Sequence, residues 1–151
     1  MGFWKTEPRY QHYTFPPFTD DDVKKVEKHL NIKLPKSYLA FLKEQNGGVP
    51  EKCHYYVPKL KDYITISRFF GLQELAEHIL TDEWGYPDIG AAIAICPSGG
   101  HELVFLDYTK CKNGEPCVSF VNQEKNYCIT AFVDRIADTY CGICICMAYY
   151  L

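Results

Sequence analysis

The chain has 151 residues, about the length of one domain, enough to bury about two-thirds of its unfolded surface without a disulfide or a metal. Hydrophobic residues make up 47% and charged residues 23%, which excludes wholesale disorder. Sixteen basic residues against nineteen acidic ones leave a net charge of −3, which argues against a phosphate-backbone binder, since that function wants a clustered basic face.

Residues 1–18 read as an aromatic, proline-containing lead-in, with Trp4, Tyr10, Tyr13 and Phe15 draped over the core. Pro16-Pro17 stops any helix there. Thr19 is a natural N-cap, and Asp22 stands at the third helical position to close a capping box. Val23, Val26 and Leu30 then fall on one face of a first helix, with Lys24, Lys25, Glu27 and Lys28 on its wet face. Pro35 suits the first turn of a second helix. Tyr38, Leu39, Phe41 and Leu42 form its apolar stripe, and Asn46-Gly47-Gly48 supplies a left-handed stop. These two helices are expected to lie antiparallel.

Val49 to Lys61 reads as a loop with a short strand, Ile64 to Ile66 as a strand, and Leu72 to about Leu80 as a third helix. Thr81 to Asp88 is a polar, aromatic loop. Ala91 to Ile95 is a buried strand, Pro97-Ser98-Gly99-Gly100 a turn, and Leu103 to Leu106 a strand. A polar loop over Thr109 to Glu115, around Asn113-Gly114, leads to a strand over Pro116 to Val121, and the pair reads as a hairpin. Tyr127 to Thr130 is a last strand, and Phe132 to about Tyr140 a helix. Helices cluster early and strands follow, which predicts a single α+β domain over residues 1–151.

The N-terminus holds no apolar signal segment, and no stretch approaches the roughly 18 apolar residues of a membrane helix. The expectation is a cytoplasmic protein. Of the eight cysteines, Cys141, Cys144 and Cys146 form the sharpest cluster. Cys141 and Cys144 have the two-residue spacing of metal and redox sites, but no second pair with that spacing exists. Small buried hydrophobes are the expected role, with no metal and no cofactor.

Several segments together resemble one family. Leu34-Pro35-Lys36-Ser37-Tyr38, Phe41-Leu42 and Gln45-Asn46-Gly47-Gly48 are similar to the signature LP-x-x-Y followed by N-G-G of the SUKH superfamily. That superfamily takes in fungal Knr-type cell-wall regulators and many bacterial proteins. Trp84-Gly85-Tyr86-Pro87-Asp88-Ile89-Gly90, Gly100-His101-Glu102, Leu106-Asp107-Tyr108 and Gly114-Glu115-Pro116 resemble later blocks in the same order. The resemblance spans about Pro17 to Tyr140. It implies one α+β domain with a mixed, mainly antiparallel sheet packed against helices. It also implies a non-enzymatic, protein-binding role. Bacterial members are mostly immunity proteins that bind and neutralise toxin domains, often nucleases. Eukaryotic and viral members act as interaction modules, so a regulatory or scaffolding module that binds a host protein is the alternative. The tail from Cys141 to Cys146 lies outside the signature.

No nucleophile elbow, phosphate-binding loop or His-Glu-x-x-His motif is present, and the expectation is no enzyme. Aromatics total 15%, including twelve tyrosines, a composition suited to contact with other macromolecules. Trp84 among Asp82, Glu83 and Asp88 is either an anchor for a basic partner or a ring packed under its own loop. His101 is read as a turn-stabilising side chain or a partner contact. Asp107 either closes an Asx-type hydrogen bond or faces a partner. The candidate partner-binding residues are therefore Glu83, Trp84, Asp88, His101, Asp107 and Tyr108. The expected partner is a protein, a toxin domain, with no nucleic acid and no membrane; the oligomeric state is left open.

Overall fold

A computed structural model describes residues 2–57, 61–77, 85–112, 115–124 and 127–131. A 3-10 turn over Pro8–Tyr13 is followed by α1 (Asp20–Leu30) and α2 (Lys36–Glu44). A two-stranded antiparallel ribbon follows, β1 (His54–Val57) with β2 (Asp62–Thr65). Then come β3 (Arg68–Phe69), α3 (Leu72–Glu77), β4 (Gly90–Ile95), β5 (Glu102–Lys112), β6 (Glu115–Asn122) and β7 (Tyr127–Ala131). Strands β3 to β7 form one five-stranded sheet in chain order, every pair antiparallel. The architecture is the expected α+β domain.

The capping box forms as read. The Asp22 N–H donates to the Thr19 hydroxyl oxygen at 3.2 Å, and the Thr19 N–H donates to Asp22 Oδ2 at 2.8 Å. These bonds hold the Asp22 carboxyl below its usual range. Val23 and Val26 of α1 are buried, as are Tyr38, Phe41 and Leu42 of α2. The principal helix contact of α1, however, is with α3. Helix α2 instead turns its aromatic face toward the lead-in. Trp4 stacks on Phe41 with centroids 5.0 Å apart, Phe3 meets Trp4 edge-on at 4.7 Å, and Phe69 closes on Phe41 at 5.5 Å. Trp4 of the lead-in is therefore core material, with Phe3 packed against it.

Three elements differ from the sequence reading. The two-residue strand β3 was hidden in an apolar run too short for any periodicity. Strand β5 continues to Lys112 and β6 begins at Glu115, so most of the expected loop over Thr109 to Glu115 is strand; residues 113–114 lie outside the described residues. Helix α2 stops at Gln45 in extended conformation, and the left-handed residue of the segment, Gly47, comes two positions later. The expected helix at 132–140, the continuation of α3 beyond Glu77, and the cysteines at 141, 144 and 146 lie outside the described residues.

The Asn46-Gly47-Gly48 segment is a joint between four pieces of chain. Asn46 is buried. Its Oδ1 accepts the Leu72 N–H at the start of α3 at 2.8 Å. Its Nδ2 donates to Pro16 O at 2.8 Å and to Gln73 Oε1 at 3.0 Å. The Phe15 N–H donates to Asn46 O, and Gly48 exchanges both backbone bonds with Phe69 of β3. A Cβ on Gly47, at φ +82°, would stand 2.7 Å from Gly71 N. Lead-in, α2, β3 and α3 come this close only because no side chain intervenes.

Candidate partner-binding surface

The central strands place the predicted site residues at two separate ends. Gly90, at the start of β4, stands opposite Asp107 on β5. The Tyr108 N–H donates to Ile89 O at 2.7 Å, so exposed Asp88 neighbours this corner through the chain. His101 precedes β5 at its other end, six residues from Asp107, which is ~20 Å along an extended strand. There its N–H donates to Ser98 O at 3.4 Å, and its carbonyl accepts the Gln123 N–H at 2.9 Å. Glu83 and Trp84 lie outside the described residues.

Asp107 offers nothing to a partner; its exposure is 0%. Oδ1 accepts the Thr109 N–H at 3.0 Å and the Thr109 hydroxyl at 2.5 Å, and Oδ2 accepts the Ser119 hydroxyl at 2.6 Å. The Asx reading is therefore the one that fits. The reason is local. Beyond Asp107 the β5–β6 register shifts: Asp107 faces Cys117, but Lys112 faces Glu115, so β5 carries the extra residues. Such a bulge leaves backbone groups without a ladder partner, and the Asp107 carboxylate takes one of them. Tyr108 then reaches away from β6, and its hydroxyl donates to Lys33 O in the connector between α1 and α2. Tyr86 is similarly occupied. Its ring packs on Phe105 at 5.7 Å, its hydroxyl donates to Gly100 O, and burial pushes that hydroxyl's pKa up. The polar residues in these blocks brace the sheet, the segment before β4 and the helix connector against one another.

The described residues leave two large hydrophobic side chains exposed, Tyr56 at 39% and Tyr63 at 55%. They stand directly opposite each other on β1 and β2, with ring centroids 5.3 Å apart and edge to face. The next pair on the same face is His54 and Thr65, joined by a 2.9 Å hydrogen bond between Nδ1 and Oγ1. The other face of the ribbon carries Tyr55, Val57 and Ile64, all buried. The ribbon therefore fastens its inner face to the core and presents a phenol pair outward. Sequence reasoning missed this pair because Tyr55 and Tyr56 are adjacent. A one-residue change of register would swap which of them faces out.

Among the described residues no group of three or more His, Cys, Asp or Glu is placed to hold a metal ion. The Cys96 thiol is buried and its pKa is pushed up to about 12, mainly by that burial and then by Glu102. No helix of the described residues is long and apolar enough to cross a membrane.

A meander of five antiparallel strands, braced by an Asn-Gly-Gly joint and bearing helices and a ribbon, defines a small α+β scaffold. The SMI1 / KNR4 family (SUKH-1) matches residues 17–147, and the chain belongs to that family. No curated protein and no solved structure matches it.

Proposed function

We propose that this chain is a non-enzymatic, cytoplasmic protein-binding domain of the immunity type, which binds a cognate toxin domain and blocks it by occlusion. A nuclease is one toxin class it would suit. Its family is generally protein-interacting. The observation that carries the reading is the exposed Tyr56–Tyr63 pair. Exposing two large aromatic rings costs hydration free energy unless something covers them. Tyrosine is also the residue type that gives large contact area at low entropic cost and retains a hydroxyl for a hydrogen bond. Asp88 is a separate exposed carboxylate that would meet a basic partner at the rim.

The test is co-expression with a toxin domain encoded beside this chain in its source genome, with growth and direct binding measured together. The expected result is restored growth. Tyr56→Ala combined with Tyr63→Ala should weaken binding by about thirtyfold or more, as for central anchors, while Asp88→Ala should cost a few-fold and chiefly at low salt. Growth that stays inhibited, with recovery of a host regulatory protein as the bound partner, would replace this reading with the regulatory-module one. Turnover of a substrate by the purified chain would overturn the non-enzymatic part.

A further inference from the structure

The two edges of the β1–β2 ribbon differ. The Ile66 N–H donates to Cys53 O at 2.7 Å, and Cys53 with Ile66 continues the register of the ribbon. Bonded and unbonded pairs alternate along an antiparallel ladder. Tyr55 and Val57 therefore spend their N–H and C=O groups on β2, while His54 and Tyr56 turn theirs away from it. Among the described residues nothing pairs with those four outward groups. On the other edge the outward Tyr63 N–H already donates to Asp62 Oδ1 at 2.7 Å. A carboxylate at that place also repels an incoming strand, which is a common defence of sheet edges. Strand β1 carries no lysine, proline or acidic residue that would do the same. Just upstream, added chain satisfies the outward groups of this segment. The Lys5 N–H donates to Val49 O and the Glu51 N–H to Phe3 O, both at 2.8 Å, and Trp4 bridges antiparallel to Pro50. Among the described residues that cover ends at Glu51.

An open edge is ordinary where a charge or a proline guards it. This one is unguarded and bears an exposed ring. We propose that β1 is a pairing edge for a second copy of this chain. About a two-fold axis at Tyr55, antiparallel β1 strands set His54 of each copy opposite Tyr56 of the other, as bonded pairs. Four hydrogen bonds then use every outward group of both copies. The side chains agree with that register. Each row on the outer face reads Tyr63, Tyr56, then His54 and Thr65 of the second copy, so the Tyr56 ring gains a neighbour on its open side. The phenols still face outward. The second copy therefore widens the surface offered to a partner and contributes His54 to it. Assembly stops at two, because the edges left outside are the guarded β2 edges. The paired stretch is short, so the dimer is weak and depends on concentration. The proposal goes beyond the toxin-binding reading and does not rest on it.

Sedimentation equilibrium of the full chain from about 1 µM to about 500 µM tests it. Expected is a monomer at the dilute end and a rising share of dimer at the concentrated end. Hydrogen exchange at the His54 and Tyr56 amides should slow over the same range. Tyr56→Pro and His54→Pro each remove an outward N–H that β2 does not use. Symmetry doubles the loss, so each variant should weaken the dimer about tenfold or more. Tyr56→Phe keeps the main chain and should dimerise as the parent does. Circular dichroism checks the fold of each variant, and if neither proline variant folds, amide exchange in the parent decides. The proposal is overturned by a monomer throughout the range, by a dimer that the folded proline variants keep, by His54 and Tyr56 amides that exchange equally fast at both ends, or by assembly beyond two copies. Because the measurement uses this chain alone, its outcome is read separately from toxin neutralisation.

Discussion

Removing the Asn46 side chain tests whether the Asn-Gly-Gly segment is a joint. In Asn46→Ala three hydrogen bonds vanish: those with the Leu72 N–H, Pro16 O and Gln73 Oε1. Each is worth about 1 kcal/mol net. Pro16 and Gln73 are exposed and turn to water, so their loss stays near that value or below it. Leu72 is almost fully buried, and its orphaned N–H adds a desolvation penalty of about 1–2 kcal/mol. The total is about 3–4 kcal/mol. For a chain of this length that corresponds to a fall in Tm of about 10 °C, or a urea midpoint lower by about 1–2 M. Asn46→Asp separates the parts. It keeps the acceptor for the Leu72 N–H but turns a carboxylate toward two oxygens, and it should be destabilised as well. Urea titration followed by circular dichroism reads both variants. An Asn46→Ala midpoint equivalent to less than about 1 kcal/mol from wild type would refute the bracing argument, because bonds at these lengths around a buried group cannot be lost so cheaply.

Two further outcomes follow from the same geometry. Gly90→Ala should be recovered unfolded or insoluble, because a Cβ there stands 2.0 Å from Leu106 O at φ +148°; soluble yield and thermal melting check it. Stability should also fall on the alkaline side. The Cys96 thiol and the Tyr38 and Tyr86 hydroxyls all have pKa values raised by burial. The unfolded chain therefore releases these protons at lower pH than the folded one, so their contribution is complete below about pH 9 and is lost as pH rises toward 12. Urea midpoints measured across that range should drop, and Cys96→Ala should flatten the early part of the fall.

The sequence showed most where local physics is self-contained. The capping box at Thr19 and Asp22, the buried stripe of α2, the run Ala91 to Ile95 and the antiparallel pairing of β5 with β6 each depend on neighbours close in the chain, and each forms. What it did not show depends on distant partners. Asn46 reads as a helix stop until Pro16 and Leu72 arrive from 30 residues before and 26 after. Asp107 reads equally well as a surface carboxylate until the β5–β6 bulge buries it against Thr109 and Ser119. Tyr108 reads as a contact residue until its hydroxyl reaches Lys33. The family blocks were legible as a family but misleading as a site, because several of their polar residues are occupied in holding the scaffold together. The outward phenol pair on β1 and β2 sits in no family block at all.

The lead-in offers a complementary case. The family match begins at residue 17, yet Phe3 and Trp4 sit within the aromatic cluster of Phe41 and Phe69. Backbone bonds fasten them in place: the Lys5 N–H donates to Val49 O and the Glu51 N–H to Phe3 O, both at 2.8 Å. Without residues 2–15, Phe41 and Phe69 would lose their cover and Gly48 its neighbour Trp4, whose ring lies 3.3 Å from where a Cβ on Gly48 would stand. Trp4→Ala should therefore cost about 3–5 kcal/mol, as large-to-small aromatic changes in a core do. A chain beginning at Pro16 should bind a hydrophobic dye and melt with reduced cooperativity. A truncated chain that keeps wild-type melting would make the lead-in an ornament rather than a part of the core. The stacking of Trp4 on Phe41 at 5.0 Å argues for the core: the ring is buried to 8% exposure in contacts the rest of the chain does not replace.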